Sequence, residues 1–230
     1  MRFVRWLLLA ALTACAYDPV AFAPARPFGI DGELDAADAT EFCDQWNALL
    51  GRDTPEAALL RAQLGLRVPR SVVQEASCIG YPELQAQGAR DSIRATQGMP
   101  NNPDAWLALG AWLQRGSAPP QAVAQAVCKG AELSARNSVA WEACGEWRWR
   151  ADDGPGAVDA WTKAIASSVG RAEQCALLER IRQASAQPAP ESLPQDVVQE
   201  CDRRRQLREK RRALRDGRHD GFATDKATVP

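Results

Sequence analysis

The chain of 230 residues holds one histidine, two tyrosines and two methionines. That histidine, His219, lies in a polar C-terminal stretch, where it neither completes a Cys/His zinc set nor has a nucleophile to activate. No C-x-x-C, G-x-S-x-G, H-E-x-x-H or phosphate-cradling glycine loop occurs, so the signatures of the common hydrolases, zinc proteins and nucleotide binders are missing. Strand signals are scarce, because no stretch alternates apolar and polar residues without a helical alternative. The most apolar run ends at Ala16, short of the ~20 residues that cross a bilayer. These absences predict a helical protein without catalytic chemistry, metal or cofactor.

At the N-terminus Arg2 and Arg5 precede the apolar Trp6–Leu12 and then small residues, the three-part pattern of a secretory signal. Within it, Leu12-Thr13-Ala14-Cys15 resembles the lipobox of bacterial lipoproteins. The resemblance implies that residues 1–14 are removed and that Cys15 carries a diacylglyceryl thioether and an acylated amine. More than one acyl chain gives stable anchoring. Ala16 in place of an aspartate implies the outer membrane in the enterobacterial sorting pattern, with the protein facing the periplasm. The alternative is ordinary cleavage after Ala16, with Ala14 and Ala16 as the small pair.

Six cysteines remain: Cys43, Cys78, Cys128, Cys144, Cys175 and Cys201. An even number in an exported chain predicts disulfides, because the periplasm is oxidising. Residues equidistant from the turn of a helix hairpin sit at the same level. Cys128 and Cys144 are equidistant from Arg136, and Cys175 and Cys201 from Pro188, which leaves Cys43 with Cys78. The alternative is buried free thiols, since cysteine also packs as a small hydrophobe.

Residues 15–37, with Pro19, Pro24 and Pro27, show no periodicity and read as a flexible tether. Helix punctuation begins at Asp38. Asp38 and Glu41 form a capping box ahead of Cys43, Trp46 and Leu50, and Thr54-Pro55-Glu56 precede Leu59, Leu60 and Leu64. Further helices are predicted at 70–79, 82–96, 103–115, 119–133, 138–151, 156–167, 171–184 and 194–216, followed by a disordered tail, 217–230. The fold class is therefore all-α. A shift of 35 residues superposes Trp106 on Trp141, Gly110 on Gly145, Trp112 on Trp147 and Arg115 on Arg150, the period of a helix-turn-helix repeat.

Asn101-Asn102-Pro103-Asp104-Ala105-Trp106, then Leu109, Gly110 and Leu113, resemble the first helix of a tetratricopeptide repeat. Trp141, Cys144 and Gly145 begin a second copy, whose second helix supplies Ala157, Trp161 and Ala164. The resemblance implies a solenoid of antiparallel helix pairs over 101–185, with 38–100 as an N-terminal helical region that includes a degenerate copy at about 70–100. It puts Trp106, Trp141 and Trp161 in the core, and Trp112 and Trp147 between repeats. It also puts Leu107, Ala111, Glu142, Glu146, Trp149 and Arg150 on the concave surface, where Trp149 beside arginine is a candidate anchor. Glu142 and Glu146, one turn apart, fit an acid/base pair less well than a solvated face. Asp152-Asp153 read as a helix cap rather than a calcium site.

Charge is uneven. The chain has 28 basic and 29 acidic residues, yet residues 202–216 hold eight Lys/Arg against Asp202, Glu209 and Asp216. Within the linker and helix of 186–216, Leu193, Val197, Cys201, Leu207 and Leu214 form a sparse apolar stripe. Beyond Cys201 the basic face, including Arg204, Arg208 and Arg211, outweighs it. This predicts either a solvated capping helix or a surface for an acidic protein, anionic lipid headgroups or an anionic wall polymer. Nucleic acid does not suit an exported chain whose remainder is acidic. Two functions are compatible with the whole. One is a protein-binding scaffold anchored in the envelope, in an assembly such as secretion, pilus biogenesis or outer-membrane protein assembly. The other is a cell-wall-associated factor or regulator of a peptidoglycan enzyme.

Overall fold

The computed structural model describes residues 38–168, 170–185 and 193–223, with side chains to 184 and over 193–215 in the last two segments. Cys15, the predicted signal, the tether and residues 186–192 of the linker lie outside the described residues. The described chain is all-α: α1 Ala39–Leu50, α2 Pro55–Arg67, α3 Arg70–Glu75, α4 Tyr81–Gly98, α5 Pro103–Arg115, α6 Pro120–Leu133, α7 Ser138–Arg150, α8 Gly154–Ser167, α9 Arg171–Ser185 and α10 Gln195–Ala223. No helix among the described residues is long and apolar enough to cross a membrane.

Side-chain caps and N-terminal prolines set the boundaries. Asp38 accepts from the amides of Thr40 and Glu41, and Thr54 from that of Ala57, satisfying donors that have no partner within the helix. Prolines stand in the first positions of α2, α4, α5, α6 and α8, where a missing N–H costs nothing.

Three details differ from the sequence expectation. α1 buries Phe42, Trp46 and Leu49, while Leu50 is exposed, because the line of 42, 46 and 49 faces α2 and α3. Leu60 likewise faces out between the buried Leu59 and Arg61. α3 stops after six residues: Ala76 is extended, and the loop after it is held to α1 by Cys78. α10 runs on to Ala223, past the expected stop before Gly217. A glycine favours a helix end because it can turn left-handed to cap the last carbonyls, but it does not enforce one, and here the helix passes through Gly217.

Successive helices pack in chain order from α4 to α10, and α2 packs on both α4 and α5. Within residues 70–100, α4 packs chiefly on α2, and α3 touches it only lightly. Ala89 and Ile93 are only partly buried; the core face of α4 is Leu84, Gly88, Asp91, Ser92 and Ala95. Glycines permit the close approach of paired helices. A Cβ at Gly110 would overlap Val127, one at Gly130 would overlap Leu107, and one at Gly145 would overlap Trp161.

The repeat recurs in structure as well as in sequence. Asn102 and Asn137 cap α5 and α7 with their side chains. Trp106 Nε1 donates to Pro100 O at 2.8 Å, and Trp141 Nε1 to Ala135 O at 3.2 Å. Arg115 lies over Trp112 and Arg150 over Trp147. Ser117 (φ 54°) and Asp152 (φ 61°) turn left-handed after α5 and α7. Each pair is 35 residues apart.

Disulfides join Cys43 to Cys78, Cys128 to Cys144 and Cys175 to Cys201, with Cα–Cα distances of 5.6, 4.7 and 5.2 Å. The second and third are the pairs that hairpin geometry predicts, and the first is the pair left by elimination. The short loop closed by Cys128 and Cys144 contributes about 3 kcal/mol in the loop-entropy description.

Candidate interaction surface

Five of the expected surface residues separate into three groups. Leu107 and Ala111 are buried, so they are removed from the concave surface. The reason is local: Gly130 offers no side chain, so α6 lies close to α5 and Leu107 fills the gap. Glu142 and Glu146 stay half-exposed on α7, and one cation from α9 claims both. Arg180 Nη1 lies 3.1 Å from Glu142 Oε1 and 3.6 Å from Glu146 Oε2. The ladder ends in Arg150, whose Nη2 is 3.1 Å from Glu146 Oε1.

Two carboxylates bridged by an arginine are occupied as ion-pair partners, which leaves the acid/base reading without a free pair. Arg180 was not singled out from the sequence, since an arginine on a polar helix face looks solvated until the neighbouring helix is placed. Exposed pairs of this kind contribute ~0–1 kcal/mol each. Together they leave a strip of alternating charge running from α7 to α9.

Trp149 is the fifth residue and borders that strip. It is 45% exposed, and its ring lies 6.3 Å from that of Trp161, which packs over Gly145. The remaining tryptophans among the described residues are buried or partly buried. Trp141, Trp147 and Trp161 are buried; Trp106, expected in the core, is only half-buried. Trp112 reaches between α2 and α4, donating to Ala62 O at 3.1 Å. Asp153 accepts from the Gly156 amide at 2.9 Å and caps α8, as the turn reading anticipates.

Two arginines, Arg61 buried and Arg115 partly buried, fix the frame behind this surface. Arg61 Nε and Nη2 donate to Asp91 at 2.9 and 2.7 Å, and its Nη1 donates to Leu49 O at 2.6 Å, tying α1, α2 and α4 together. Arg115 donates to Gly65 O and Leu66 O at 2.8 and 2.6 Å, closing the C-terminus of α2, and burial pushes its pKa down. Its repeat mate Arg150 turns to Glu146 instead. The corresponding carbonyls of α5, Leu113 O and Gln114 O, already accept the amides of Ala118 and Ser117.

α10 begins on the body and then leaves it. Leu193, Val197 and Cys201 are buried, Arg171 pairs with Asp196 at 2.9 Å, and Arg182 with Asp202 at 2.8 Å. Every side chain from 203 to 215 is exposed, including Arg204, Arg208 and Arg211. The expected apolar stripe therefore ends at Cys201; Leu207 and Leu214 are exposed, with no helix opposite them among the described residues. Arg204, then Arg203, hold the Glu200 carboxyl below its ordinary pKa. Arg208, Lys210, Arg211, Arg212 and Arg215 have no acidic partner among the described residues.

Among the described residues no group of three or more His, Cys, Asp or Glu is placed to hold a metal ion. No protein-family model matches the chain, and it matches no curated protein and no solved structure.

Proposed function

We propose that the chain is an envelope-anchored lipoprotein, held by acylated Cys15. Its helical body acts as a tetratricopeptide-like scaffold that binds a partner protein along the α7–α9 strip. The observation that carries this reading is Trp149, a nearly half-exposed ring beside the Glu142–Arg180–Glu146–Arg150 ladder. Exposed aromatics next to arginine are favoured as interface anchors, and the ladder presents both signs of charge to select among partners. The lipobox resemblance at Leu12–Cys15 supports the anchor, and the 35-residue recurrence of caps, indole hydrogen bonds and left-handed turns supports the repeat reading.

Two measurements test it. A clickable fatty acid fed to cells should mark the wild-type chain and not Cys15→Ser; equal labelling of both removes the anchor. A partner captured by cross-linking in whole envelopes and then purified should bind Trp149→Ala about 2 kcal/mol more weakly. Thermal melting should be nearly unchanged, since the ring is half in water. Unaltered affinity for Trp149→Ala removes the groove.

A further inference from the structure

We infer that the free part of α10 is a docking arm for an anionic lipid surface, a site separate from the α7–α9 strip and independent of its function. From residue 203 to 223 the helix extends about 30 Å with every described side chain in water. A row of exposed arginines on such an arm has lost nothing by being solvated, so exposure alone identifies no partner. The distribution of charge around the helix does.

At about 100° per residue, Leu207 and Leu214 fall on one line. Arg203 and Lys210 flank it on one side, and Arg211, Arg215 and Arg208 on the other. Asp202 and Glu209 lie on the far side, where Arg205 stands between them at 3.9 Å from each. The helix thus has a leucine line bordered by cations and a back that carries its carboxylates.

A flat layer of phosphate headgroups matches this face. Long arginine and lysine side chains can spread to many phosphates while their stems and the two leucines enter the boundary of the acyl region. Attraction of clustered cations to anionic lipid is additive and needs no fixed geometry. A folded acidic protein would instead need carboxylates at set positions on both sides of a groove for the leucines. Cys175–Cys201 and the Arg182–Asp202 pair fasten the root of the arm to α9, so docking would orient the body and not merely tether it.

The test uses the full chain carrying Cys15→Ser, so that no acyl chain contributes, and measures co-sedimentation with vesicles. Binding is expected to mixed phosphatidylglycerol–phosphatidylcholine vesicles, to be absent with phosphatidylcholine alone, and to fall with added salt. Reversing Arg208, Arg211 and Arg215 to glutamate should lower the partition coefficient by at least about tenfold. Replacing the same three by lysine should leave it nearly intact, because headgroups read charge and not a bidentate fork. Circular dichroism and melting of both variants check that the helix persists; if the glutamate variant loses helicity, glutamine at the three positions takes its place. The inference is overturned if anionic vesicles are not bound, if reversal leaves binding unchanged, or if lysine fails as glutamate does. Capture of the arm by an acidic protein or by cell-wall polymer, with no affinity for vesicles, overturns it equally.

Discussion

Replacing Asp91 by alanine should cost about 3–5 kcal/mol of unfolding free energy, measured by urea titration under oxidising conditions. Asp91 and Arg61 are 2% and 4% exposed, and the two share a bidentate pair of charge-assisted hydrogen bonds. Removing the carboxylate leaves a guanidinium buried with only the Leu49 and Arg52 carbonyls to answer it. A domain of this size has roughly 5–15 kcal/mol to lose, so the variant should be partly unfolded at modest denaturant. The double variant Arg61→Leu/Asp91→Leu should be less damaged than Asp91→Ala, because no unpaired charge remains. A loss near zero for Asp91→Ala would show that water reaches the pair.

Trp112→Ala should lose a similar amount, about 3–5 kcal/mol, through a cavity instead of a charge. The ring is 2% exposed and occupies the space left by Gly65 and Gly88, where a Cβ would meet its atoms. Emptying it separates α2, α4 and α5 at one point. Trp106→Ala is the internal control: that ring is half-buried and donates to Pro100 at the mouth of α5, so its loss should be clearly smaller. Equal losses in the two variants would contradict the placement of Trp112 between the helices.

The parts of this fold that were legible in the sequence are those governed by short range. Caps and N1 prolines act within one turn, so helix starts at Asp38, Thr54 and Asn102 could be read directly. Two of the cysteine pairs were legible because Cys128–Cys144 and Cys175–Cys201 each span neighbouring helices and are equidistant from the turn between them; Cys43–Cys78, which joins α1 to the loop after α3, followed only by elimination. Arg61 and Asp91, 30 residues apart, had no such local signal. The available hint was that α2 lacks a polar face: from Ala57 to Leu66 every residue except Leu60 is buried, and an arginine in such a helix needs an internal partner.

The candidate surface was legible only in part. Family resemblance put Leu107 and Ala111 with Trp149 on one face, but the distance between helices decides which of them water reaches, and that distance depends on Gly130 in the next helix. Arg180 was invisible for the same reason. The apolar spacing of Leu193, Val197, Cys201, Leu207 and Leu214 is continuous along α10, whereas the body it could pack on is not. Periodicity reports which residues share a side, and a neighbour is needed to say whether that side is dry.

The three disulfides have sequence separations of 35, 16 and 26 residues, and none of them overlaps another along the chain. In an oxidising compartment entered N-terminus first, and with Cys15 acylated as proposed, Cys78 arrives when Cys43 is its only available mate. That bridge can close before Cys128 appears, and each later pair finds its predecessors already spent. The order of arrival alone then selects the native pairing at every step. Such a chain should mature with a thiol oxidase and little need of an isomerase, whereas refolding from the fully reduced state exposes all six thiols at once and readmits every wrong combination.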